Sequence, residues 1–472
     1  MTAIVWVRRS LRTYDNTALV EASKEHDEAI PFYVVDDEYF ENTELGYPRV
    51  KFWHDSLVDL KNSLKQDGKD LVVRKGKPLE QLERIIEETG ADSVYFNRDY
   101  SPYSKQRDQR AKELGKDLDV ETKSFKDIVI FEKEEILTNS GSPYKVYSYY
   151  RDKWFERDKP RPEAPKDFEV PELNSDNMPS VEQLGFEKPD EIDWIWEPGR
   201  ESGKKTLEEF KEKIWSYDKK RDLAAADETS KLSPHLKFGT ISIREAFWMA
   251  ERIKARNPNK DTSDIHTWQE ELAWRDFYFQ MIWNFPYCVE KPFLDQYESI
   301  SWEQDEEKWQ RFIEGKTGYP FVDAGMRQLK TTGWMHNRLR MVVTSFCAKD
   351  LHLDWKKLHS YFKKNFVDAE LASMIGGIQW AYSIGTDAQP YFRVFNPWTQ
   401  GEKYDPNGDY IRKWVPELQD VPDKHIHKPY KMNKLEQNDC GVEIGKDYPR
   451  PIVDHDVERK KAVEMFEDAR ED

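Results

Sequence analysis

Short runs of β-branched and aromatic residues punctuate the N-terminal part of the chain, at Ile4–Val7, Ile30–Val35, Leu71–Val73 and Val94–Phe96. Between them lie stretches whose apolar positions recur at helical spacing, such as Val50–Leu64 and Leu79–Glu88. Strand and helix alternating at this interval predict a Rossmann-like parallel sheet flanked by helices. No G-x-G-x-x-G follows the first strand, so this domain does not hold a dinucleotide in the common way. The pattern breaks over 156–202, where Pro160, Pro162, Pro165, Pro171, Pro179, Pro189 and Pro198 stand among acidic side chains. Proline lacks a donor and like charges repel, so this segment reads as an extended connector and a domain boundary. From about Leu207 the period becomes helical, over Leu207–Ile214, Ile243–Ala255, Thr267–Trp283, Trp309–Ile313, Phe321–Thr331, Asn337–Lys349, Trp355–Phe362 and Ala369–Ile375. The expected organisation is an α/β domain over 1–130, an interdomain linker over 131–204 and an all-α domain over 205–472.

Composition changes the picture little. The 472 residues suffice for two domains with full cores. No apolar run approaches the roughly 20 residues of a membrane span. Met1–Arg9 reads as a buried strand running into charge, not as a signal peptide, and the expected location is the cytoplasm. Cys288, Cys347 and Cys440 lie too far apart for a disulfide framework or metal spacing. The formal charge of −17 argues superficially against nucleic acid. Net charge governs solubility and steering, however, and Arg and Lys recur in the regions that carry the motifs, so a basic patch on an acidic surface stays open.

Three constellations carry candidate chemistry. In Trp334–Met341, helical spacing puts Asn337, Arg340 and Met341 on one face, and Phe366–Ala372 then brings Asp368 and Glu370. Fixed cations beside polarisable surface suit an anionic aromatic ligand; the pattern alone equally fits a salt-bridged helix pair. In Thr229–Gly239, hydroxyls cluster before a helix, which suits phosphate but is also ordinary capping. Tyr217 and Arg221 shift the balance toward phosphate. In Trp268–Tyr278, Glu271, Trp274, Arg275 and Tyr278 fall at i, i+3, i+4 and i+7. Aromatic stripes are usually core, but core rarely interleaves Glu and Arg, because unpaired buried charge is costly. Rings that stack and a carboxyl that reads an edge suit a flipped nucleobase.

The run from Gly318-Tyr319-Pro320 through Gly333–Asn337 to Gly385-Thr386-Asp387 and Asn396–Gly401 resembles the DNA photolyase/cryptochrome family, and is most like a class I cyclobutane pyrimidine dimer photolyase. The resemblance covers nearly the whole chain. It implies an enzyme, a monomer, that binds FAD and UV-damaged DNA and repairs the dimer by light-driven electron transfer from reduced FAD. By that resemblance Tyr217, Thr229, Ser230, Lys231, Leu232 and Ser233 hold the FAD phosphates, and Trp268, Arg275, Arg340, Asp368, Ala369 and Glu370 complete the cofactor site. A guanidinium such as Arg340 beside reduced flavin favours its anionic form, and Asp368 fixes the guanidinium geometry. Glu271, Trp274, Asn337, Met341 and Trp380 would hold the lesion. Arg221, Arg275, Tyr278, Arg338 and Gln400 would join them in contacting DNA. The (6-4) branch carries a His-His pair at the positions of His336 and Asn337, so the Asn points to cyclobutane dimers.

For an antenna chromophore, Arg49, Asp99 and Lys237 resemble deazaflavin ligands; Ser104 stands in the region where folate-using members carry a Glu, so deazaflavin is favoured over methenyltetrahydrofolate. Three positions depart from the family pattern. Glu370 replaces a second Asp, Met374 replaces an Asn facing flavin N5, and Ile378 replaces the tryptophan nearest the flavin, leaving Trp355 and Trp302 as the outer electron-transfer members. A thioether cannot donate and accepts poorly. A cryptochrome-like photoreceptor without repair is the alternative, and a flavoprotein scaffold a third; the intact lesion-face residues and the brief stretch after Asp447–Pro451 speak against the photoreceptor.

Overall fold

A computed structural model describes residues 2–471, the side chains of residues 37, 41 and 42 apart. Five strands, β1 Thr2–Trp6, β2 Glu28–Val35, β3 Val72–Lys75, β4 Ser93–Asn97 and β5 Glu121–Phe125, pair in parallel in the order β3-β2-β1-β4-β5. Ile4 of the central strand lies between Ile30 and Val94. Because side chains alternate along a strand, Ala3 and Val5 pack with Phe52, Leu57 and Leu60 of the Tyr47–Gln66 helix on one face. Ile4 and Trp6 pack on the other face with Leu82, Ile85 and Ala111 from the Pro78–Thr89 and Pro102–Asp117 helices. β5 is the strand absent from the hydrophobic pattern. Its sequence ETKSF is polar and nowhere fully buried, as befits a sheet edge.

The 131–204 segment is more than a connector. Within it the Tyr147–Glu156 helix buries Tyr147, Tyr150 and Trp154 in the helical domain with Phe210, Phe247 and Phe277. Trp154 Nε1 donates to the buried Asp276 at 2.9 Å. From 157 to 199 the chain straps the α/β domain, placing Phe168, Val181, Ile192 and Trp196 in the core on one sheet face.

The two domains share core and charge. Trp334 and Val367 of the helical domain complete that same sheet-face core. The turn before Trp334 depends on Gly333, whose φ is +67° and whose missing Cβ would meet Pro48 of the Tyr47–Gln66 helix at 2.7 Å. Below it, Arg244 bonds Asp15 at 2.9 Å and Asp127 at 2.8 Å, while Arg12 bonds Asp127 at 2.8 Å, all buried. Burial alone would raise the Asp127 carboxyl; Arg12 and Arg244 outweigh it and hold it well below the usual range. Among the described residues, no helix is long and apolar enough to cross a membrane.

Candidate functional site

The Leu371–Ala381 helix packs against both the Ser263–Asn284 and the Asn337–Lys349 helices, and the candidate residues converge around these three. His336 caps the Asn337–Lys349 helix by accepting from the Arg338 amide at 3.2 Å. One turn on, Arg340 donates through Nη2 to Asp368 Oδ2 and through Nε to the Met335 carbonyl, each at 2.8 Å, with its guanidinium 4.0 Å from the Phe366 ring centroid. Asp368 is 2% exposed in its side chain and Arg340 29%, so the carboxylate is fixed from below and the cation faces outward. Asp368 Oδ1 is buried without a partner. Asn337 is exposed and lies with Nδ2 4.0 Å from Met341 Sδ, the neighbour that one helical turn gives it.

The Ser263–Asn284 helix presents Glu271, Trp274 and Tyr278 as partly exposed neighbours. Glu271 is ion-paired to Arg221, and burial pushes its carboxyl pKa up in spite of that pair. Tyr278 lies flat against the next helix: a Cβ on Gly376 would fall 2.1 Å from its ring, so only glycine permits this approach. Trp268, one turn before Glu271, points instead into the core, 2% exposed and 5.2 Å from Phe210. Arg275 turns toward the α/β domain, where it donates to the Ile128 carbonyl and lies 4.0 Å from Glu370. Trp380 is partly exposed, 6.4 Å from Phe395.

The hydroxyl cluster forms a tight loop. Lys231 adopts φ +51° and pairs with Asp227 at 2.5 Å, Leu232 is buried, and Ser233 opens the short Ser233–Phe238 helix. Thr229, Ser230 and Lys231 line a cleft of about 200 Å³. Tyr217 is buried with Arg221 5.9 Å from its ring centroid. On the rim, Arg338 pairs with Asp222 at 2.6 Å and lies 4.3 Å from the Tyr404 ring, while Gln400 sits on the Pro397–Tyr404 helix with Oε1 buried and unpartnered.

Glu370 reaches away from Arg340. It is ion-paired to Arg9, with Lys237 at 3.7 Å, and Arg9 also holds Asp99 at 3.1 Å. Burial would raise the Glu370 carboxyl; Arg9, Lys237 and Arg275 outweigh it and hold it low. Burial strips the Lys237 ammonium, taking its pKa down to about 7. Two of the antenna candidates, Asp99 and Lys237, thus share one buried interdomain cluster, while Arg49 donates to the Tyr39 hydroxyl at 3.1 Å. Ala369 is buried beside them in sequence. Trp355 and Ile378 are 2% and 3% exposed in one apolar core, against which Met374 packs. Trp302 sits edge-on to Tyr382 at 5.1 Å.

Two residues escape the sequence reading. Tyr147, in the presumed linker, stacks on Trp274; the spacing Tyr147, Tyr150, Trp154 is a helical signal that could have found it. Arg9 carries no such signal.

The residues fit a flavin dinucleotide. A buried carboxylate oxygen without a partner, Asp368 Oδ1, beside the partly exposed Arg340 suits a ring N–H next to developing negative charge. His336 Nε2 is a second buried atom lacking a partner. Gly377 faces open space with nothing within 4 Å of its Cβ position, so the helix backbone stays reachable there.

A parallel α/β domain strapped to a helical domain that carries the Arg340–Asp368 pair is a two-domain architecture. Residues 3–168 match the DNA photolyase family model, and residues 268–468 match that of the FAD binding domain of DNA photolyase. A deoxyribodipyrimidine photo-lyase of Halobacterium salinarum is 40% identical over 99% of each chain. The crystal structure of a class III photolyase from Agrobacterium tumefaciens superposes with a TM-score of 0.93 at 36% identity, covering 100% of this chain and 98% of that one. A Synechocystis cryptochrome does so at 0.89 and 26% identity, covering 98% and 99%. The chain belongs to the DNA photolyase/cryptochrome family. Its likeness extends to a class III photolyase and is not confined to the class I pattern that its motifs resemble.

Proposed function

We propose that the protein is a light-driven DNA photolyase that repairs cyclobutane pyrimidine dimers with FAD held in its helical domain. The observation that carries this reading is that one helix, Leu371–Ala381, packs between a cation–carboxylate face and an aromatic–carboxyl face. A lesion gripped by the second face lies close to a ring held at the first. When bound, reduced FAD supplies the photoexcited electron that opens the cyclobutane ring and recovers it afterwards.

The side chains supply position and field. Arg340 favours the anionic reduced ring, and Asp368 aligns that guanidinium while offering Oδ1 to a ring N–H. Tyr217, Thr229, Ser230, Lys231, Leu232 and Ser233 hold the diphosphate. Glu271, whose carboxyl burial pushes toward the protonated form, donates to a pyrimidine carbonyl; Trp274 and Trp380 stack, and Asn337 and Met341 close the side. Arg221, Arg338, Tyr278 and Gln400 hold the DNA strand while the dimer is flipped out. An antenna, of deazaflavin type in preference to a folate, would lie where the strand order reverses between β1 and β4, near Arg49, Asp99 and Lys237.

The test is a dimer-containing oligonucleotide incubated with FAD-loaded, chemically reduced protein in light and in darkness. Dimer loss in light alone is the expected result. No loss in light rejects the reading and favours the photoreceptor that the likeness to a cryptochrome supports.

A further inference from the structure

Tyr147 opens the Tyr147–Glu156 helix and is 5% exposed. Its ring lies parallel to that of Trp274, with centroids 3.5 Å apart and planes at 12°. Three further tethers hold it. Its hydroxyl donates to the Glu270 carbonyl at 2.8 Å, its amide donates to Asp387 Oδ2 at 3.1 Å, and its ring meets Phe277 edge-on at 5.8 Å. Tyr278, on the same helix as Trp274, lies 5.4 Å from it with its ring tilted by 33°, and rests on Gly376, so the stacked contact of Trp274 is the one with Tyr147.

We propose that Tyr147 is a positioning residue for lesion recognition: it backs one face of Trp274 and so presents the other face, in a fixed rotamer, to the flipped base. This rests on the reading of Trp274 as a lesion-stacking residue. A partly exposed indole without such a backing would exchange among staggered rotamers, and binding would then include the cost of ordering it. With the backing ring tied at its hydroxyl and its amide, the indole is ordered before the substrate arrives. Tyr147 is itself too buried to reach DNA, so it acts only through Trp274.

The experiment measures dark binding of a dimer-containing single-stranded oligonucleotide, and of its undamaged counterpart, by the FAD-loaded protein. Tyr147→Phe keeps the stack and should stay within about twofold of the unaltered protein. Tyr147→Leu removes it and should weaken dimer binding about threefold to tenfold, the range an aromatic pair supports, with the undamaged strand unaffected. Tyr147→Met fills the space without a planar face and replaces the leucine variant if that one fails to fold. In a double-mutant cycle, Tyr147→Leu should add nothing further to Trp274→Ala. Near-ultraviolet circular dichroism should lose the same Trp274-dependent band in Tyr147→Leu and in Trp274→Ala. Equal weakening for damaged and undamaged strands, or full additivity with Trp274→Ala, would overturn the proposal while leaving the lesion face intact. Dimer binding untouched by Trp274→Ala would instead sink the lesion-face reading, and Tyr147 with it.

Discussion

Arg9 and Glu370, 361 positions apart, form an ion pair between the loop after β1 and the segment leading into the Leu371–Ala381 helix. The pair brings the tip of the central strand onto the helical domain, and Arg9 carries Asp99 with it. Glu370 thus gives this chain a carboxylate that spans the domain boundary. The carboxylate left to steady Arg340 is Asp368.

Removing the Arg340 charge should therefore act directly on the flavin potential. Arg340→Leu is expected to lower the two-electron reduction potential by on the order of 30 mV, about 1.4 kcal/mol, with Asp368→Asn giving a smaller shift in the same direction through a misaligned guanidinium. Spectroelectrochemical titration of the loaded protein reads both. An unchanged potential in Arg340→Leu means that the cation does not face the ring.

Glu271→Ala should weaken dimer binding by about 1–3 kcal/mol by leaving the base edge unpaired, and it also frees Arg221. Glu271→Gln keeps a hydrogen-bonding group at that edge and should recover part of the loss. Binding and repair of cyclobutane and (6-4) substrates, measured side by side, check this; preferential repair of (6-4) lesions would contradict the role given to Asn337 and Met341.

DNA binding should weaken steeply as salt rises, in spite of the chain's formal charge of −17, because released counterions follow the local phosphate contacts. Arg338→Ala should flatten the slope of log affinity against log salt by about one unit. A slope near zero would remove the case for phosphate contact.

Light-driven reduction of the oxidised protein should be slow while repair by chemically reduced protein is retained. Ile378, an aliphatic side chain that carries no electron, shares the core with Trp355, and Tyr382, which contacts Trp302, donates its hydroxyl to the Leu353 carbonyl at 3.0 Å. A carbonyl takes up no phenol proton, so Tyr382 makes a poor relay. Ile378→Trp should speed reduction and Met374→Asn should alter its course, followed by flavin absorbance under illumination with an external reductant. Fast reduction that depends on Trp355 in the unaltered protein would show that the gap is bridged.

Stability should rise with pH between about 7 and 10.5, the folded and ordinary values for the largely covered Lys237. Below about 7 both folded and unfolded chains carry the proton. Above it the folded protein has released a proton that the unfolded chain still holds, which favours folding as pH increases. Lys237→Met should flatten urea-midpoint profiles across that window. An unaltered profile would assign the titration to another group.

The sequence by itself determined what is local. Alternating apolar runs gave the parallel strands, helical period set Glu271, Trp274 and Tyr278 side by side, and one turn of spacing placed Asn337 next to Met341. Those relations depend only on backbone geometry. The tertiary structure decided which faces meet. The polar β5 joins a sheet because a neighbour pairs with it, not because its residues are apolar. Trp268 enters the core although it belongs to the same aromatic run as Trp274, because Phe210 of the Arg200–Lys213 helix covers that side. Trp334 closes the core of the other domain, Glu370 finds Arg9, and Tyr147 comes out of an apparent linker to back Trp274. A period fixes the direction of a side chain around its own helix, but the partner in that direction comes from a distant part of the chain, and only packing selects it.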